Sequence, residues 1–251
     1  PELRRMLALA LTGQRKFSEA AAQLKAILQE HPDQILAYET LGQLTEQRPE
    51  DFPDPNDSPA GWFDKAVNNN PSSALAYIVR AGFYRAKDSA KALADLEQAE
   101  KQDLSDPNVE LRLAGEFLAV EFINADILDK AEKHLTTVQI AMPTDQRLWQ
   151  KWAQFALKSQ LQEKMLKVAE DGLKELSSQP WDFMPIATDL FIRCGQLDRA
   201  DDCISKMNQK DVMPVEVAFL EGRVAAEREQ LFEAIKYWQE SMALGIGNKQ
   251  W

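Results

Sequence analysis

The chain is poor in the residues that most often carry chemistry: two cysteines and two histidines in 251 residues. Cys194 and Cys203 form no C-x-x-C and have no second pair, so neither a disulfide framework nor a zinc knuckle is indicated. They read as packing thiols, because free cysteine behaves as a small buried hydrophobe. His31 stands before Pro32 and His134 beside Lys133, and neither belongs to an H-E-x-x-H pattern. Histidine is the commonest general base. Its scarcity, with no G-x-S-x-G, G-x-x-x-x-G-K-[ST] or G-x-G-x-x-G, leaves catalysis without a foothold, and no cofactor or metal is implied. Carboxylate pairs abound, but nothing singles out one as a catalytic couple. Apolar runs fall far short of the ~20 residues of a membrane span. Alternating β-branched runs are also missing, which argues against strands.

Positive charge is in short supply too. Against 40 acids stand 29 lysines and arginines, giving a net charge of −11. Such a field repels a polyphosphate and excludes nucleic acid as the expected partner. Between Pro49 and Glu110 twelve acids face six bases. The stretch RPEDFPDPNDSPAG, Arg48 to Gly61, holds four prolines and four acids and cannot continue a helix. Its Asp51, Asp54 and Asp57 lack the glycine and closing glutamate of a calcium loop, so a solvated acidic loop is expected. Lys164, Lys167 and Lys174 alternate with Glu163, Glu170 and Glu175 and read as a solvated helix face.

Apolar residues at helical spacing are plentiful. In GQRKFSEAAAQLKAILQEHP, Phe17, Ala20, Leu24 and the pair Ile27–Leu28 share one helix face. His31–Pro32 ends that helix, since the residue before proline is pushed out of helical dihedrals. The pattern recurs. Leu231, Ala234, Trp238 and Met242 copy it, as do Leu197, Ala200, Ile204 and Met207. A column Ala92, Ala131, Met165, Ala200, Ala234 runs at steps of 34 to 39 residues, with Leu96, Ala99, Leu135 and Val138 completing the same faces. Phe63, Ala66 and Val67 match Leu24, Ile27 and Leu28, with Pro59 where the small residue belongs. Prolines 32, 71, 107, 143, 180 and 214 punctuate the array, each followed by a second helical stretch such as ILAYETLGQL or VEVAFLEGRVAAE. The fourth joint, AVEFINADILDKAEKHL, is longer, with a helix expected to run on toward Phe122 or Ile123 before a turn at Asn124–Asp126. Trp149 and Trp152 are expected to pack at least one ring on the preceding unit. Periodicity of this kind marks a repeat architecture.

These residues, with Tyr38, Leu41 and Gly42 in the order large, Leu, small, resemble the tetratricopeptide repeat family across essentially the whole chain. The resemblance implies an all-α, right-handed superhelical solenoid of about seven helical hairpins, with units near 1–34, 35–73, 74–107, 108–145, 146–180, 181–214 and 215–248. Units beginning near Pro1, Trp181 and Val215 fit best, while Pro59 and Met165 mark the second and fifth as distorted. The chain starts at the threshold of a repeat and ends in MALGIGNKQW without a polar capping helix, so a longer parent protein is expected.

In such arrays the first helix of each pair lines a concave groove. The resemblance then nominates Arg5, Glu39, Gln43, Glu46, Ile78, Arg112, Glu116, Gln150, Gln154, Asp189, Phe219 and Arg223 as groove residues. The implied function is a non-catalytic scaffold holding a protein or peptide, with a recruiting arm of a larger enzyme or self-assembly as alternatives. Some family members clamp a chaperone's terminal carboxylate. Here Arg5 offers one base, but Leu9, Thr40, Leu75 and Val79 stand at the other clamp positions. Nothing in the sequence fixes a compartment.

Overall fold

The computed structural model describes residues 1–121 and 123–247. The described residues contain α-helices, two 3-10 turns and no strand. The helices follow one another in pairs: α1 (Glu2–Gly13) with α2 (Phe17–Glu30), α3 (Ile35–Gln47) with α4 (Pro59–Asn69), α5 (Ala74–Tyr84) with α6 (Ser89–Ala99) and α7 (Pro107–Ala119) with α8 (Ala125–Ala141). The order continues with α9 (Gln146–Ser159) and α10 (Gln162–Glu175), α11 (Met184–Arg193) and α12 (Leu197–Lys210), then α13 (Pro214–Glu227) and α14 (Leu231–Gly247). The chain forms two compact units, Pro1–His134 and Leu135–Trp251, with the boundary inside α8. In the first unit α3 touches α5 and α5 touches α7; in the second α9 touches α11 and α11 touches α13. First helices are therefore neighbours within each unit.

Small residues explain the close approach. Ala20, Ala92, Ala131, Ala200 and Ala234 are all buried, and a methyl at the contact lets two helix axes come within about 8 Å. The large residues of the same faces, such as Leu24, Ile27, Leu96 and Leu135, are also buried. Each contributes roughly 1.5–3 kcal/mol by leaving water. In three places the small residue is a glycine and an aromatic ring fills its space. A Cβ at Gly42 would lie 2.4 Å from the Phe63 ring, at Gly222 2.4 Å from Trp238, and at Gly172 2.3 Å from Phe183. Met165, which takes the place of the alanine in this unit, is buried on the same helix.

Helix ends follow from side chains at the junctions. His31, Arg48 and Asn70 precede prolines, adopt ψ values of 78°, 59° and 60°, and stop α2, α3 and α4. Pro107 and Pro214 act differently, opening α7 and α13 as first-turn residues whose missing N–H costs nothing. Ser58, Ser73, Asp88, Asp106, Asn124 and Asp145 accept backbone N–H groups of the helices they precede. The capping by Asn124 starts α8 at Ala125, and α7 already ends at Ala119. This corrects the expected run of α7 toward Ile123; Phe122 lies outside the described residues, as does Asn248 at the end of the last expected unit.

The acidic insertion is more ordered than its composition suggests. Two 3-10 turns, Pro49–Asp51 and Pro55–Asp57, fold it back, and Phe52 packs against the core beside Trp62. Asp57 accepts from Lys25 at 2.6 Å, and Lys65 donates to the Asn56 carbonyl at 3.2 Å. The loop is pinned to α2 and α4. Its last residue is Ser58, because Pro59 already belongs to α4.

Buried polar ties hold the first unit together. Arg80 on α5 donates twice to Asp95 on α6, at 2.9 and 2.6 Å, and once to Asp64 on α4 at 3.1 Å. The Asp95 hydrogen bonds, ahead of the charges of both acids, push the guanidinium pKa above its ordinary value. His134 is buried against Phe117, with Nδ1 3.0 Å from Glu110 and Nε2 3.3 Å from Glu100. It is a structural tie.

In the second unit Trp149 donates its indole N–H to the Pro143 carbonyl at 2.7 Å and packs edge-on to Phe183. Its ring therefore packs toward the following unit, and only its N–H reaches Pro143 at the end of the preceding one, which differs from the expected packing. Cys203 is buried, but Cys194 is only half-buried at the end of α11, which corrects the reading of both as buried thiols. On α14, Ala234 is buried whereas Leu231 and Met242 are exposed; the helix packs chiefly on α13. No described helix is long and apolar enough to cross a membrane.

Candidate partner-binding groove

Three consecutive first helices of the first unit, α3, α5 and α7, build a cleft of about 200 Å³. From α3 come Glu39, Gln43 and Glu46, spaced four and three apart and so on one face. Arg112 and Glu116 come from α7, one turn apart. Phe63, Val79 and Phe83 give it an apolar surface, with the Phe63 and Phe83 rings stacked at 4.6 Å. Gly82 on α5 leaves room for Glu116, whose carboxylate would lie 3.5 Å from a Cβ there.

The charges in the cleft are paired across helices. Arg112 donates to both carboxylate oxygens of Glu39, the longer bond 3.1 Å, in a bidentate fork from α7 to α3. Arg85 donates to Glu116 at 3.1 Å, and Lys87 lies 2.5 Å from Glu46 and 4.0 Å from the Phe83 ring centre. Glu39 and Glu116 are mostly covered, with side-chain exposures of 16% and 18%. These pairs are therefore worth more than open surface pairs. Gln43 is exposed, and its amide has no partner among the described residues.

Five of the twelve nominated residues thus meet in one place. Ile78 does not: it is fully buried. It occupies on α5 the register that Glu39 and Arg112 occupy on α3 and α7, but its side chain belongs to the core. Arg5 pairs with Glu2 on its own helix at 2.6 Å and takes no part in the cleft. Of the clamp positions, Thr40 spends its hydroxyl on the Leu36 carbonyl at 2.8 Å and Val79 is buried.

The remaining nominees belong to the second unit. Asp189 accepts from Arg193 at 2.6 Å and also from Arg223, linking α11 to α13. Gln154 accepts from Lys151 at 3.3 Å, Gln150 is half-buried, and Phe219 is half-exposed. The sequence reading missed Phe63, Phe83, Arg85 and Lys87. The last three lie in FYRAK, at the end of α5 and in the joint to α6, where a basic–aromatic alternation was the available signal.

No protein-family sequence profile matches the chain, and no curated protein is similar to it in sequence. Solved structures are similar in fold. A tetratricopeptide repeat protein from Parabacteroides merdae superposes with a TM-score of 0.61 at 14% identity, over 99% of this chain and 94% of that one. PilW, a type IV pilus biogenesis factor, gives 0.60 at 14% identity, over 86% and 96%. The hetero-tetramer Cut9–Hcn1 of the APC/C gives 0.56 at 13% identity, over 97% of this chain and 46% of that one. Paired helices, a buried column of small residues and this likeness agree: the chain has the tetratricopeptide repeat fold.

Proposed function

We propose that the chain is a non-catalytic scaffold that holds a protein or peptide segment against its first helices, with the α3–α5–α7 cleft as the principal contact. The observation that supports this is the convergence of Glu39, Gln43, Glu46, Arg112 and Glu116 on one cleft with an aromatic floor. A floor of stacked phenylalanines takes an apolar side chain, and the paired charges around it exchange partners with an incoming segment. Cut9, one of the structures similar in fold, occurs in a hetero-tetramer with Hcn1. In the second unit the same role falls to Gln150, Gln154, Asp189, Phe219 and Arg223. Arg5 is left to α1.

The test is affinity capture from lysate with the wild-type chain and with a Gln43→Arg/Arg112→Glu variant, followed by binding measurements on each captured protein. Circular dichroism first establishes that the variant is folded, since the Arg112–Glu39 pair is lost in it. A partner whose affinity falls about tenfold or more in the variant supports the groove. Identical partners and affinities for both chains overturn it, and capture of copies of this chain alone makes the groove a self-assembly surface.

A further inference from the structure

The second unit carries a pocket that its first-helix face does not include. It has a volume of about 380 Å³ and is formed by the end of α10, the turn at 177–183, the start of α11 and the last turns of α12. Leu173, Trp181, Met184 and Cys203 supply its apolar walls, and Lys206 and Lys210, one turn apart on α12, stand at its mouth. The size suits one large side chain with part of its backbone.

Its electrostatics are unlike the rest of the molecule. The chain carries a net charge of −11, yet no acid lines this pocket. Both lysines are exposed and neither has a carboxylate partner among the described residues. Asp202 and Asp211, the nearest acids in sequence, belong to α12 and the residue capping it but do not line the pocket. Burial pushes the Cys203 thiol up from its ordinary pKa, so it stays protonated and serves as apolar wall. An apolar pocket with two free cations at its mouth is complementary to one kind of protein segment: a bulky apolar side chain flanked by carboxylates.

We infer that this pocket is a second docking site, separate from the α3–α5–α7 cleft, and that its occupant is an acidic peptide segment of a partner protein anchored by one aromatic side chain. The aromatic ring enters between Trp181, Met184 and Leu173, and the flanking carboxylates meet Lys206 and Lys210. Because like charges elsewhere repel an acidic segment, the two lysines also select where it lands.

The probe is the capped pentapeptide Glu-Glu-Phe-Glu-Glu, titrated into the full chain and followed by amide NMR shifts and calorimetry. Two control peptides replace the phenylalanine by alanine or the glutamates by lysines. The expected result is shifts confined to 173–184 and 203–210, with about tenfold weaker binding of the alanine peptide and no binding of the lysine peptide. A Lys206→Glu/Lys210→Glu variant, altered only at exposed positions, should melt like wild type and bind about tenfold more weakly. Gln43→Arg should bind the probe as wild type does, which separates this site from the groove. Equal binding of the phenylalanine and alanine peptides, indifference to the double variant, shifts centred on α3–α7, or no binding each overturns the proposal. Concentration-dependent self-association of the wild type that the double variant abolishes would also overturn it, naming a second copy of the chain as occupant.

Discussion

The two compact units share one packing scheme and differ in their joints. In the second unit every hairpin turns on one left-handed residue: Gln160 (φ 57°), Gly195 (φ 70°) and Glu229 (φ 61°). Among the described residues of the other unit, only the first hairpin does the same, through Arg15 (φ 61°). There α3 reaches α4 through the eleven residues 48–58, α5 ends in a right-handed Arg85, and α7 runs into an extended Val120. The cleft is found in the irregular unit. Phe63, a residue of the repeat face on α4, gives the cleft part of its floor, and Phe83, Arg85 and Lys87 come from the end of α5 and its joint, so the joint adds side chains that the repeat itself does not specify.

If the packing scheme is common to both units, the largest effect should be equal in both. Ala200→Arg in the second unit and Ala92→Arg in the first each place a cation at a fully closed helix contact. Each should cost about 3 kcal/mol or more, measured as a loss of urea midpoint. A melting temperature unchanged by either substitution would show that the column is not the shared contact.

The column was legible in the sequence because an alanine, with Met165 in one unit, recurs every 34 to 39 residues. Gly42 was legible from the order large, Leu, small, though the ring of Phe63 filling its space was not. The cleft was half legible. Glu39, Gln43 and Glu46 announce themselves by helical spacing, but the partner of Glu39 lies 73 residues away on α7, and nothing local reveals it. Ile78 misled in another way: its register says groove, and only the packing of the neighbouring helices shows that it is core. The α10–α12 pocket was invisible, since its walls come from three helices and a turn with no periodic signal.

A second contrast concerns helix starts. Asp106 caps α7 in the first unit and Asp145 caps α9 in the second, accepting from the N–H of Asn108 at 2.9 Å and of Arg147 at 2.8 Å. Asp145 also receives the Arg147 guanidinium at 2.6 Å, and that side-chain bond, ahead of the backbone ones, holds its carboxyl below the usual range. A lowered folded pKa stabilises the fold above the unfolded carboxylate value of about 3.9, and the gain is lost as pH falls through the folded value. Asp145→Ala should therefore cost about 1 kcal/mol at pH 7, with wild type and variant converging as pH drops below about 4. Urea titrations at pH 7, 5 and 3 check this. A gap that stays constant across the series would mean that the carboxylate charge contributes nothing.

The smallest effect sharpens the difference in joints. A side chain at a left-handed position costs roughly 1–2 kcal/mol, while glycine there gives back about 0.5–1 kcal/mol through the freedom of the unfolded chain. Gln160→Gly and Glu229→Gly should thus stabilise the second unit by about 0.5 kcal/mol each. Gly195→Ala should destabilise it by about 0.5 kcal/mol for the same reason reversed, since nothing lies within 4 Å of its added methyl and only the dihedral is strained. Arg85→Gly, at a joint with φ −45°, relieves no left-handed strain and should lose stability, along with the bond from Arg85 to Glu116. Opposite signs at Glu229 and Arg85 in the same denaturation assay would establish that the two units turn their hairpins by different means; equal signs would reduce the contrast to sequence alone.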